Sequence, residues 1–265
     1  MACPRLNFLP MVPTMSVMST AFIWGLIASS SLVLGGLIGS WLTLSKRTLG
    51  VIMAFGAGVL ISAVAYEIVF ESLQLAKLTG FPTLGFFAGA FTFFVSDWLI
   101  ARSGAGDRKA INASHSSSLV VPLILAIILD GIPESVVIGL GILEGGSVSL
   151  AMLVAVFMSN LPESIASTVG MRSGGWSRTR ILLLWAIIGV VCGGASAAGY
   201  GLLANVSPEW LSFVQTFSGG AILMMLANTM MPEAYEHGGK LAGVFTVLGF
   251  AICVWVIVLE HASGA

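Results

Sequence analysis

The sequence predicts an all-α integral membrane protein with about eight transmembrane helices. Apolar residues make up 57% of the 265-residue chain, the mean hydropathy is +1.01, and charged residues are only 9%. Soluble domains contain about 25% charged residues, so these few charges cannot cover a water-facing surface. We therefore expect an N-terminal tail over 1–20 and a single transmembrane domain over 21–265, with no sizeable soluble domain.

Eight stretches of the chain are long enough to cross a bilayer, which takes about 20 mostly apolar residues. The weakest division is between the first two stretches, where only Leu44 to Thr48 interrupts the apolar run. Lys46 and Arg47 favour a turn at the membrane surface at that point. The predicted spans are 21–44, 48–70, 82–101, 119–142, 147–171, 181–204, 210–232 and 241–260.

The basic residues predict the orientation of the chain. All eleven Lys and Arg residues lie outside the predicted spans, and nine of them fall in alternate loops. The positive-inside rule places those loops in the cytoplasm. The sequence thus predicts a multi-pass protein of the cell membrane with both termini outside and the 102–118 loop inside. There is no basic patch of the kind that binds nucleic acid, so no nucleic-acid partner is expected.

Acidic residues, in contrast, do lie within the spans. Asp130 and Glu134 in span 4 and Glu163 in span 5 are near the middle of the predicted bilayer. A charged side chain at that depth costs about 2.5–3.5 kcal/mol on insertion scales, and no Lys or Arg lies in a span to pair with it. A visiting metal cation or proton would compensate these carboxylates. The alternative is that they are protonated core residues beside ordinary proline kinks.

The sequence around these acids occurs twice. Residues 130–135 are Asp-Gly-Ile-Pro-Glu-Ser, and residues 159–164 are Ser-Asn-Leu-Pro-Glu-Ser. Residues four apart share a helix face, which groups Asp130 with Glu134 and Ser159 with Glu163, and Asn160 lies close to that second face. The matched pair makes two unrelated kinks the less favoured interpretation.

The two prolines add backbone oxygens to the predicted site. Pro133 and Pro162 each remove a backbone donor, which leaves the carbonyls of Leu129 and Met158 without their helical partner. Carboxylate, amide, hydroxyl and carbonyl oxygens together suit a divalent cation.

At these segments the chain resembles the ZIP family of divalent metal transporters, which carries a His-Asn-x-Pro-Glu-Gly type motif in spans 4 and 5. The resemblance extends over 21–260 and includes the basic turn at 44–49 and Phe-Gly-Ala-Gly-Val at 55–59. It implies a bundle of eight helices in a 3+2+3 inverted repeat. It also implies transport of a divalent cation by alternating access through a midplane carboxylate site. The cation is then the substrate, with no prosthetic group and no enzyme activity.

The resemblance applies position by position. Asp130 and Ser159 replace the two motif histidines. In span 6, Cys192 stands where the family often has a metal-facing acid, and in span 2, Glu67 stands where many members have a histidine. Zinc is the default substrate, and loss of the imidazoles predicts a broader range that admits manganese or iron. The direct matches to the motif are Pro133, Glu134, Asn160, Pro162 and Glu163.

Cys192 and His237 each allow two interpretations. Cys192 lies at the depth of Asp130 and could be a soft metal ligand, but a lone cysteine on a glycine-rich helix is usually a packing residue. His237, with Glu233 and Glu236, could form a weak surface metal site, although a solvated loop is the simpler interpretation.

A second repeat links span 2 to span 7. Phe55 precedes Glu71 by sixteen residues, and Phe217 precedes Glu233 by sixteen. Inverted repeats that flank a midplane site are typical of transporters. We place Glu67 and Glu71 on the predicted transport path.

The expected partners are divalent metal ions and the lipid bilayer. The sequence also leaves open that the chain forms a homodimer. The competing function is a non-transporting ZIP-like metal sensor or membrane scaffold, which the missing motif histidines motivate. An intramembrane enzyme is disfavoured because the sequence has no His-Glu-x-x-His motif and no nucleotide-binding loop.

Overall fold

The computed structural model describes residues 17–42, 44–76, 79–102, 120–145 and 148–262, and within 120–145 the described side chains are those of 129 and 131–143. The predicted tail up to residue 16 and most of the predicted 102–118 loop lie outside these ranges. No strand occurs among the described residues. Their helices are α1 (Val17–Trp41), α2 (Lys46–Leu75), α3 (Phe81–Arg102), α4 (Val120–Gly145), α5 (Leu150–Ser173), α6 (Arg178–Leu203), α7 (Pro208–Gly238) and α8 (Lys240–Ala262).

Seven of these helices, all except α4, are long and apolar enough to cross a membrane. α4 has 26 residues, and its described side chains include the apolar stretch Gly131–Leu143. The prediction of an all-α, multi-pass membrane protein is therefore confirmed for seven helices. The eighth span and the 3+2+3 arrangement stay predictions.

α3 shows most clearly that the molecule needs apolar surroundings. Five large apolar side chains on it, spaced three or four residues apart, are exposed on one face: Leu84, Phe87, Phe91, Phe94 and Trp98. Residues at this spacing form a continuous stripe along a helix. Such a stripe is unfavourable in water and favourable against lipid.

The predicted boundaries hold within a few residues at most helix ends. α1 ends at Trp41 and α2 begins at Lys46, which confirms the predicted turn. Ser45 caps α2 by accepting a hydrogen bond from the Thr48 N–H at 3.0 Å, as serine does at this position. α1 begins at Val17, four residues before the predicted start.

Helices α2 and α7 extend beyond the predicted ends of spans 2 and 7. α2 continues past residue 70 to Leu75, and α7 continues past residue 232 to Gly238. Each predicted end marks where the apolar run stops, but Glu71 and Glu233 do not stop a helix. Glycine ends α7, because Gly239 has a positive φ of 59° that other residues rarely adopt.

α2 and α7 each contain a widened, π-helical segment, Val64–Phe70 in α2 and Leu226–Met230 in α7. Such segments are rare and are frequently found at functional sites. Their starting residues are 162 positions apart. Phe55 and Phe217 of the predicted repeat have the same separation.

The helices pack as two groups of four. α1, α4, α5 and α6 form the first group, in which α1 packs on α5 and α6, and α6 packs on α4. α2, α3, α7 and α8 form the second group, in which α3 packs on α7, α8 packs on α2, and α2 packs on α7. The two groups meet mainly where α5 contacts α2 and α4 contacts α7.

Glycines bring the second group's backbones into close contact. A Cβ atom at Gly58 of α2 would overlap the carbonyl of Thr246 on α8, and one at Gly249 of α8 would overlap the carbonyl of Phe55. The α7–α3 pair repeats this arrangement, with Gly220 against Phe86 and Gly89 against Phe217. Small residues at such contacts drive helix association in membranes.

Candidate cation site

Glu134 is the most enclosed of the predicted ligands whose side chains the structure describes. It follows Pro133 on α4, and its side chain is only 1% exposed. Ser159 Oγ donates a hydrogen bond to Glu134 Oε1 at 3.2 Å, and Asn160 Nδ2 donates to Oε2 at 3.2 Å. Both donors lie on α5, so the predicted convergence of Glu134, Ser159 and Asn160 is present.

Glu163 lies on α5 one turn beyond Ser159 and is partly exposed. It interacts electrostatically with Glu134 and with Glu233. Every Lys and Arg among the described residues lies within the first or last three residues of a helix. The described basic residues therefore stay at the helix ends.

Glu233 is the residue that the sequence analysis missed. The interpretation of 233–237 as a solvated loop or surface metal site is wrong for Glu233, because α7 continues through it and its side chain is 1% exposed. It belongs to the second helix group and interacts electrostatically with Glu163. The signal that could have found it was the sixteen-residue spacing after Phe217, which pairs Glu233 with Glu71.

Asp130 lies on α4 four residues before Glu134, and its side chain is outside the described part of the structure. Its predicted role as a ligand therefore stays a prediction. Among the described side chains, no three His, Cys, Asp or Glu residues are close enough together to hold one metal ion. A cation bound here would therefore need oxygens from Ser159, Asn160 or Asp130 as well as from the glutamates.

The carbonyl that Pro162 leaves without a helical partner does not stand open to the site. The Met158 carbonyl oxygen lies against Gly56 of α2, so closely that a Cβ at Gly56 would be 2.6 Å from it. The oxygen is thus covered by the neighbouring helix group. A glycine is required here because any larger residue would displace α5.

Cys192 of α6 is 3% exposed and belongs to an apolar cluster that includes Leu32, Trp185 and Ile188. Its Sγ lies 4.0 Å from the carbonyl oxygen of Gly131. The thiol thus contacts the α4 backbone one turn before Glu134. This geometry fits the packing interpretation, and the ligand role stays a prediction.

Glu67 and Glu71, the residues predicted to lie on the transport path, line a small cavity of about 20 Å³. The cavity lies between α2, α4, α5 and α7, toward the end of the molecule where α4 ends and α5 begins. Its other lining residues are Val137, Ile138, Gly141, Val148, Ser149, Met152 and Gln215. Val137, Ile138 and Met152 are buried and lie between this cavity and the level of Glu134.

No protein-family model matches the chain, and no curated protein matches it with significant similarity.

Proposed function

We propose that the chain transports divalent metal cations across a membrane, as the ZIP-type sequence pattern implies. The observation that carries the proposal is the fully buried Glu134, whose two carboxylate oxygens accept hydrogen bonds from α5 while Glu163 lies beside it. A buried charge needs a compensating partner, and removing that partner is strongly destabilising. Two neutral donors compensate one carboxylate in part, and a divalent cation would compensate Glu134 and Glu163 together.

The chemistry of the site suits cations that prefer oxygen ligands. Glu134 and Glu163 would supply charge in the present arrangement, and Ser159 and Asn160 would supply neutral oxygens. Manganese and iron fit such a set, and zinc remains the default substrate from the ZIP resemblance. Asn160 now donates its amide N–H₂ to Glu134, so turning the amide would present its oxygen to an arriving cation.

The finer architecture that we propose is the 3+2+3 inverted repeat. Three features support it: the matched π-helical segments of α2 and α7, the matched glycine contacts of the α2–α8 and α7–α3 pairs, and the doubled Pro-Glu sequence of α4 and α5. The repeat relates α1 to α6, α2 to α7 and α5 to α4. Accordingly, the contact of α1 with α5 matches that of α6 with α4, and the contact of α2 with α5 matches that of α7 with α4. Spans 4 and 5 then cross the centre between two related three-helix units.

Alternating access would come from movement of one four-helix group against the other. Glu134 and Glu163 belong to the first group, and Glu233 belongs to the second. In the present arrangement the buried Val137, Ile138 and Met152 separate the cavity at Glu67 and Glu71 from the carboxylates. A relative displacement of the groups would be needed to connect the two.

Uptake of radioactive manganese and zinc into proteoliposomes containing the full chain tests the proposal. The wild type should accumulate metal, and Glu134→Gln should reduce the initial rate at least tenfold. Glu236→Gln, an exposed glutamate on α7, is the matched control and should transport normally. If the wild type binds metal but accumulates none, the non-transporting sensor becomes the better proposal.

A further inference from the structure

A carboxylate from α8 is bound to the beginning of α5. Glu260 Oε1 accepts a hydrogen bond from the Leu150 N–H at 2.6 Å, and Oε2 accepts one from the Ala151 N–H at 3.3 Å. Ser149 Oγ also lies 3.5 Å from Oε2. The glutamate thus binds two consecutive backbone donors in the first turn of α5.

This contact completes the hydrogen bonding at the start of α5. The first N–H groups of a helix have no partner within the helix. Glu260 satisfies those of Leu150 and Ala151, and Ser149 Oγ accepts the next one, from Met152, at 3.2 Å. A negative charge at this end is also favoured by the helix dipole.

The two helices belong to different groups. α5 belongs to the first group and carries Ser159, Asn160 and Glu163, whereas α8 belongs to the second group through its packing on α2. Any displacement of the first group along the second would pull Leu150 away from Glu260. A charge-assisted hydrogen bond is about twice as strong as a neutral one, so this contact opposes the displacement.

The contact also lies at the cavity described above. Ser149 and Met152 line that cavity, and both take part in the capped turn of α5. Holding this turn against α8 keeps Met152 between the cavity and Glu134.

The residue that the repeat pairs with Glu260 is different. Thr246 and Gly249 of α8 correspond to Phe86 and Gly89 of α3, at a separation of 160 residues. The same separation pairs Glu260 with Ile100. Isoleucine has no carboxylate, so this position at the opposite end of the bundle cannot form the same contact.

We propose that Glu260 is a latch that holds the cavity end of the bundle closed by fixing α5 to α8. It is a positioning residue, since it acts through its hydrogen bonds to the first turn of α5. The proposal rests on the proposed alternating-access function. Because the related position 100 carries no carboxylate, the Glu260 contact biases the molecule toward the arrangement in which the cavity end is shut.

The latch is tested by the reactivity of a cysteine placed behind it. Met152→Cys is introduced into a full-length chain whose three native cysteines are replaced by alanine. The protein is embedded in lipid nanodiscs, which expose both faces to a hydrophilic maleimide. Adding Glu260→Ala should raise the labelling rate about tenfold, because loss of a charge-assisted pair of hydrogen bonds shifts the population toward the open end. Glu260→Gln keeps the size and one acceptor and should give an intermediate rate.

Glu209→Ala is the matched control, because Glu209 is an exposed carboxylate at the start of α7 on the same face. It should leave the labelling rate unchanged. Equal rates in the Glu260→Ala and Glu260 chains overturn the latch, and so does an equal rise with Glu209→Ala. A melting temperature for each variant shows whether faster labelling reflects unfolding; a rise confined to variants that have lost much of their thermal stability also overturns it. Metal uptake by the same variants separates the two proposals: faster labelling without any wild-type uptake supports the latch and contradicts transport.

Discussion

At the scale of single residues, the site depends on carboxylates that neighbouring helices hold at one depth. Glu134 is held by two donors from α5, whereas Glu163 is only partly covered and interacts with carboxylates of both helix groups. Glu163 is thus the residue that can share a cation with either group. Its charge should matter more for metal binding than for folding.

Glu163→Gln tests this role, because it removes the charge and keeps the shape of the side chain. An ion at a hundred times its Kd stabilises a protein by about 2.7 kcal/mol, and a tenfold loss of affinity should remove about 1.4 kcal/mol of that. Thermal unfolding with and without manganese or zinc measures the difference. Glu236→Gln should keep the full metal-dependent shift. A Glu163→Gln chain with the wild-type shift would show that this carboxylate is not a ligand.

The sequence points to most of the candidate site residues because their signal is local. Asp130, Glu134, Ser159, Asn160 and Glu163 stand out as polar residues in apolar spans beside repeated prolines. Glu233 was missed because it follows the apolar run and is adjacent to Glu236 and His237, which suggests a loop. The direction of the Cys192 thiol depends on how α6 packs on α4, and no local pattern carries that information.

At the scale of helices, close contact between backbones depends on glycine at a few positions. Gly249 of α8 lies against the Phe55 carbonyl of α2, while Gly243 on the same helix has no atom within 4 Å of a Cβ built there. The composition of 32 glycines does not distinguish the two. Likewise, the π-helical segments of α2 and α7 were not predicted, because no pattern in the sequence marks them.

Gly249→Ala and Gly243→Ala form a matched pair that tests whether α8 is in close backbone contact with α2 at Gly249. The first should lower the free energy of unfolding by about 1–3 kcal/mol, the usual cost of an extra methyl in a packed core. The second should not destabilise the protein, because its new methyl meets no neighbour. Unfolding in mixed micelles with increasing denaturant measures both. Equal effects would mean that α2 and α8 are not in close backbone contact.

At the scale of the whole molecule, the division into two four-helix groups is the feature that the sequence did not predict. Periodicity and hydropathy locate helices along the chain, but they do not determine which helices pack together. α1 joins α5 and α6, and α2 joins α7 and α8, although each pair is far apart in sequence. The division matters for function because it separates Glu134 and Glu163 from Glu233, and α5 from Glu260.

The orientation of the protein in the membrane is a further prediction, and it rests on the basic residues. Nine of eleven Lys and Arg residues fall in alternate loops, which the positive-inside rule places in the cytoplasm. In a chain without native cysteines, Ala110→Cys should resist an impermeant maleimide on intact cells and react after permeabilisation. Asn205→Cys, in the exposed turn between α6 and α7, should react on intact cells. The reverse labelling pattern would mean that the protein has the opposite orientation in the membrane. The Glu260 contact would then close the cytoplasmic end of the path instead of the outer one.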